Sequence, residues 1–148
     1  MNRVIAMNQV SLVRDGKPIL DRIDWQVNSD EHWAILGLNG SGKTTLLDML
    51  NGYIFPTQGD LWVLGYRFGS SDLRELRKLI GWVSIALQER FYGGERAQNV
   101  VISGKYASIG IYHEPTEADY ARATELMERL GCGHLYNHRF ESCSQGEK

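Results

Sequence analysis

HWAILGLNGSGKTTLLDML, residues 32–50, joins three unlike pieces of chain. HWAILG is a continuous apolar run of strand length, the kind that suits a strand covered on both faces. Gly37-Leu38-Asn39-Gly40-Ser41-Gly42-Lys43-Thr44 fits the pattern G-x-x-x-x-G-K-[ST]. Leu46, Leu47, Met49 and Leu50 then recur at helical spacing, and Gly52 stands where a helix would end. A strand before and a helix after are the context that gives the pattern its meaning.

The chemistry explains the spacing. The phosphates of a nucleoside triphosphate need many donors converging on one point. Glycines let the backbone curl so that successive N–H groups face inward. A helix starting near Gly42 adds the positive end of its dipole. Lys43 places a point charge on the β and γ phosphates, and the Thr44 hydroxyl is suited to Mg²⁺. Gly37 through Thr45 are therefore the expected nucleotide-binding residues. Many folds carry such a loop, so the rest of the chain must choose among them.

Upstream, residues 3–10 read as a short strand. In IDWQVN, Ile23, Trp25 and Val27 alternate with polar residues, as in a strand with one buried face. Downstream, PTQG marks a turn, and DLWVLG and IGWVS read as strands apolar on both faces. Trp25, Trp33, Trp62 and Trp82 fall on these strands and are expected to pack in the core. In DLRELRKLI, Arg74, Arg77 and Lys78 alternate with acids and read as a solvated helix face. From Glu89 the character changes to short helical pieces. Thr116 with Asp119 resembles a capping box. It opens an amphipathic helix whose stripe is Ala123, Leu126, Met127 and Leu130, closed by Gly131.

The 148 residues are one domain's worth of chain, with 43% hydrophobic and 23% charged residues, ordinary for a soluble globular protein. A net charge of −2 gives no strong pull toward nucleic acid or an anionic membrane. The two cysteines, Cys132 and Cys143, make no disulfide framework and read as reduced thiols. No run approaches the ~18 apolar residues of a spanning helix, and the N-terminus is too weakly apolar for a signal peptide. The expectation is a cytoplasmic protein. Cys132, His134, His138 and Cys143 lack paired-ligand spacing apart from the two histidines, and they read as a polar loop rather than a zinc site.

Four stretches together resemble the ATP-binding subunits of ABC transporters: residues 19–53, PTQGDLWVLG, LRKLIGWVS and SQGEK, in that order and spacing. The resemblance runs over essentially the whole chain. It implies an α/β P-loop NTPase core of the ABC-ATPase type, with a mixed N-terminal sheet and a helical subdomain. Residues 1–88 would be the nucleotide-binding core with Walker A and the Q-loop, and 89–148 the helical subdomain. It implies ATP and Mg²⁺ as cofactors, and Ser144, Gln145, Gly146 and Glu147 as a signature acting on ATP in trans. The expected partners are transmembrane permease subunits and a second ATP-binding subunit, head to tail, on the inner face of the membrane, with no nucleic acid. Phe91 and Tyr92 either form part of the permease interface or pack under the helical segment.

Three departures stand out. Near the family's adenine-stacking position the chain has Val13 and Arg14 and no aromatic. The usual Q-loop glutamine position is Ile85. Gln88, three residues on, either reaches Mg²⁺ and the attacking water through a longer loop or is an ordinary polar loop residue. In the signature, Cys143 replaces leucine and Gln145 replaces a glycine. The family's Walker B carboxylates and switch histidine have no counterpart in residues 1–148, so the sequence is expected to be a fragment lacking the C-terminal part of the fold. By itself it is expected not to hydrolyse ATP, and its apolar WAILG run would be left as an unpaired edge. The alternatives are a soluble ABC-type ATPase acting on ribosomes or DNA, and a non-hydrolysing ATP-binding remnant.

Overall fold

A computed structural model describes residues 2–148. The chain forms two compact units, residues 1–80 and 81–148. Gln88 thus belongs to the second.

The first unit is built on a sheet. β1 (Arg3–Arg14) and β2 (Lys17–Asn28) form a long hairpin. The turn Asp15-Gly16, both at positive φ, closes it. β3 (Gln58–Val63) and the two-residue β4 (Tyr66–Arg67) complete the sheet, with every neighbouring pair antiparallel in the order β2-β1-β3-β4. β1 extends beyond the expected 3–10. It also breaks its alternation: Val10, Ser11 and Leu12 are all buried. The cause is an irregularity at Gln9, whose φ is +49° and whose N–H donates to Asp24 Oδ1 at 2.8 Å.

One face of the sheet carries the core. Met7, Val10, Leu12, Leu20, Leu61 and Val63 pack with Met49 and Leu50 of α1 (Lys43–Leu50) and with Leu73 and Leu76 of α2 (Leu73–Lys78). The other face is open, so DLWVLG is buried on one side only. Leu61 and Val63 point inward while Trp62, between them, is 43% exposed under the guanidinium of Arg67. Trp25 is half-buried against the core. The expectation of core tryptophans is corrected for Trp62, because a one-sided sheet sends alternate residues outward, and for Trp33, which is 57% exposed on a run that joins no sheet.

The HWAILG and IGWVS runs are not strands. Residues 31–38 and 80–84 carry no strand assignment. A strand exists through the ladder of its neighbour, and no described strand pairs with either run. Leu36 is 91% exposed and Val83 94%, while Ile80 packs partly against the core. Trp33 rests edge-on against Trp25, with ring centroids 5.5 Å apart.

In α2, Asp72 caps the N-terminus by accepting from the Arg74 N–H. Arg77 is no solvated charge. It donates to the Gly52 carbonyl at 3.2 Å and lies over the Tyr53 ring.

The second unit is helical: α3 (Ile85–Gln88), α4 (Ala97–Gly104) and α5 (Glu117–Arg129), followed by 3-10 turns at Gly133–Leu135 and Phe140–Ser142. The Thr116/Asp119 capping box forms in both directions. Ala97, Met127, Leu135 and Cys143 make its small core. Of the expected stripe, Ala123 and Met127 are buried but Leu130 is 81% exposed. The helix ends at Arg129 with Leu130 as its C-cap, and Gly131 at φ +74° follows. Among the described residues no helix is long and apolar enough to cross a membrane.

Candidate phosphate-binding loop and signature turn

The loop between residues 37 and 45 is shaped by its glycines. Gly40 and Gly42 take φ of +82° and +89°, a region that side chains with a Cβ avoid. Gly42 has a second reason to be glycine. A Cβ there would meet the Ile19 carbonyl oxygen and Leu20 Cδ2 at 3.0 Å. A Cβ on Gly37 would meet Ser41 Oγ at 2.7 Å. The Ser41 N–H donates to the Leu38 carbonyl at 3.2 Å, closing the curl.

Lys43 turns back over this curl. Its Nζ donates to the carbonyl oxygens of Gly37 and Leu38, each at 2.8 Å. Gly42 is the N-cap of α1, and no side chain caps that helix. The first-turn N–H groups of a helix have no intrahelical acceptor. Here they stand beside a cation with no carboxylate in the first turn, and Thr44 is exposed next to them. A set of free donors around an ammonium group is suited to a multiply charged anion. Gly37, Leu38, Asn39, Gly40, Ser41, Gly42, Lys43, Thr44 and Thr45 are thus gathered into one feature. Gly52, at φ +75°, donates its N–H to the Met49 carbonyl and ends α1.

In the second unit, Ser144–Lys148 form a turn. The Ser144 N–H donates to Glu147 Oε2 at 2.7 Å, and the Glu147 N–H donates to the Ser144 carbonyl at 3.1 Å. Ser144-x-x-Glu147 is the residue pattern of a capping box, a signal present in the sequence but not used in reading it. Glu147 is held below the usual carboxylate range, chiefly by the Ser144 N–H and then its hydroxyl, with His134 adding attraction. The Nε2 of Gln145 donates to Oε1 of Gln88 at 2.5 Å. Gln88 is the last residue of α3. Phe91 packs on Phe140 at 5.7 Å, whereas Tyr92 is 80% exposed.

Among the described residues no group of three or more His, Cys, Asp or Glu side chains could hold a metal ion. The two thiols have local acceptors: Cys132 donates to the Met127 carbonyl and Cys143 to the Arg139 carbonyl. Burial pushes the Cys143 thiol above its ordinary range, and nearby Glu147 adds to this. Val13 lies on β1 opposite Pro18, 43% exposed, and Arg14 opposite Lys17.

A glycine-rich loop that feeds an uncapped helix beside a sheet, followed by a helical unit, defines an α/β protein of the P-loop class. The comparisons specify it further. The sequence profile of the family described as ABC transporter matches residues 20–148, and the chain belongs to that family. It is 47% identical over 146 residues to the "Uncharacterized ABC transporter ATP-binding protein YlmA" of Bacillus subtilis, covering 98% of this chain and 55% of that protein. It is 36% identical over 149 residues to the ABC transporter ATP-binding protein ModF of Escherichia coli, covering 99% of this chain and 30% of that one. Among solved structures, cbiO1 of Clostridium perfringens, part of the ABC transporter complex cbiONQ, matches with a TM-score of 0.74 at 22% identity, over 99% of this chain and 58% of that chain. At that identity the likeness establishes the fold alone. The chain spans about half the length of curated relatives such as YlmA, at 55%, and a Streptococcus mutans putative ABC transporter ATP-binding protein, at 56%.

Proposed function

We propose that this chain supplies the ATP-binding half-site of an ABC transporter ATPase. The observation that carries the reading is the Lys43 ammonium folded over a curled loop whose helix N-terminus no side chain caps. Lys43 and the backbone donors of residues 37–45 hold the phosphates. The Thr44 hydroxyl holds Mg²⁺, which when bound neutralises phosphate charge. Ser144, Gln145, Gly146 and Glu147 act on the nucleotide of a second copy, head to tail. The whole protein converts ATP and water to ADP and phosphate and couples this to solute movement through transmembrane permease subunits, at the inner face of a membrane.

The relatives' names support this setting over a ribosome- or DNA-directed ATPase. Besides YlmA and ModF, one is the energy-coupling factor transporter ATP-binding protein EcfA1 of Oceanobacillus iheyensis, 31% identical over 130 residues, 86% of this chain and 45% of that protein. Within residues 1–148 no motif supplies the carboxylates that position Mg²⁺ and attacking water in this family. These residues by themselves are expected to bind ATP without fast turnover.

Titration of the purified protein with Mg·ATP tests the reading. Saturable binding that weakens on the order of ten- to hundred-fold in Lys43→Ala is expected. Binding unchanged by that substitution, or no binding by the parent protein, would overturn it.

A further inference from the structure

Two departures from the family pattern meet each other in the fold. Gln145 stands where the signature has a glycine, and Gln88 stands three residues beyond the usual glutamine position. Their side chains are joined, with Gln145 Nε2 donating to Gln88 Oε1 at 2.5 Å. A glycine at 145 would have no side chain to donate. A glutamine at 85 would lie at the other end of α3, whose last residue is Gln88.

The bond is one end of a longer seam. The rings of Phe91 and Phe140 pack at 5.7 Å. The Glu141 N–H donates to the Gly93 carbonyl at 2.9 Å, and the Phe140 N–H to the Glu95 carbonyl at 2.8 Å. Arg96 and Arg139 form an antiparallel bridge, and the Ala97 N–H donates to the His138 carbonyl at 2.9 Å. Residues 93–97 and 138–141 therefore run antiparallel, side by side, with backbone bonds fixing their register. Gly93 permits the approach, since a Cβ there would meet Glu141 Oε2 at 2.7 Å. Beyond that stretch the contact continues between side chains, through the Phe91 and Phe140 rings to Gln88 and Gln145, 57 residues apart in sequence.

We propose that Gln88 is a positioning residue for the Ser144–Glu147 turn, acting through its carboxamide bond to Gln145. The seam makes the two segments one body, and the carboxamide pair fixes the free end of the turn that follows it. An exposed neutral hydrogen bond adds little to global stability. Its consequence is the local order of the turn, and through it the aim of the Ser144 hydroxyl and the turn's N–H groups. The functional meaning of the turn rests on the nucleotide reading above; the pairing of the side chains does not.

The test is a double-mutant cycle of Gln88→Ala and Gln145→Ala in the intact protein that carries this sequence, with Gln145→Gly as a second probe of the same position. Amide hydrogen exchange across residues 143–148 is read without nucleotide. Each single substitution is expected to speed exchange roughly three- to ten-fold, and the double to add nothing beyond either single. Additive effects, or no effect, would overturn the pairing. In a second readout, nucleotide-driven dimer formation should weaken to the same extent in Gln88→Ala, Gln145→Ala and the double variant. A rise in the Mg²⁺ needed for ATP binding in Gln88→Ala but not in Gln145→Ala would assign Gln88 to the metal and sink the proposal. If the parent protein binds no ATP, the nucleotide reading falls, while the exchange experiment still decides the pairing.

Discussion

Lys43 bonds to the loop that precedes it: its Nζ donates to the Gly37 carbonyl oxygen at 2.8 Å, six positions earlier in the sequence. The second bond, to Leu38, makes the side chain a clasp on the curl. The ammonium is thereby held in place before any ligand arrives, which lowers the ordering cost of binding.

Replacing Lys43 removes a charge-assisted donor from the site. Lys43→Ala is expected to weaken Mg·ATP binding on the order of ten- to hundred-fold, with a small effect on unfolding because the side chain is only half-buried. Isothermal titration beside a denaturant melt separates the two. Equal loss in both would mean that the lysine is structural.

Gly42 answers to two constraints, its φ of +89° and the closeness of Ile19 and Leu20. Gly42→Ala is expected to destabilise the first unit by about 1–3 kcal/mol. Gly40→Ala, at φ +82° but with nothing within 4 Å of its Cβ, should cost only the backbone strain. Comparing their denaturation midpoints checks the difference; equal midpoints would deny the role of the hairpin contact.

Asp119 ties α5 to α4. The Lys105 ammonium, first, and then the Thr116 N–H and hydroxyl hold its carboxyl well below the usual carboxylate range. Its folded pKa lies below the unfolded value. The unfolded chain therefore takes up the proton first as pH falls, and the contribution of Asp119 is full at neutral pH and fades below about pH 5. Lys105 is shifted upward, chiefly by the same bond, so its contribution fades only as alkaline pH approaches its raised value. Asp119→Asn should lower the melting temperature at pH 7 and leave a smaller difference from the parent at pH 3. A constant difference across that range would contradict the assignment.

Cys143 is buried and its thiol is pushed up by that burial. The thiolate is the reactive form. Alkylation at pH 7 is expected to label Cys143 slowly in the folded protein and rapidly in denaturant, read by peptide mass. Fast labelling of the native protein would show that the second unit's core is open.

The sequence by itself determined what depends on near neighbours. The spacing of residues 37–44, the alternation of Ile23, Trp25 and Val27, and the Thr116/Asp119 capping box all appear as read. Each is written in side chains a few positions apart, whose geometry the backbone fixes locally. The Ser144/Glu147 cap was written in the same way and was legible. Tertiary structure alone decided what depends on distant partners. WAILG has the composition of a strand, but pairing requires a neighbour that composition cannot name, and Leu36 stands open. Trp62 faces outward because the sheet has one covered face, which no single strand reveals. Gln88 and Gln145 lie 57 residues apart, and only the packing of the second unit brings the two carboxamides within a hydrogen bond.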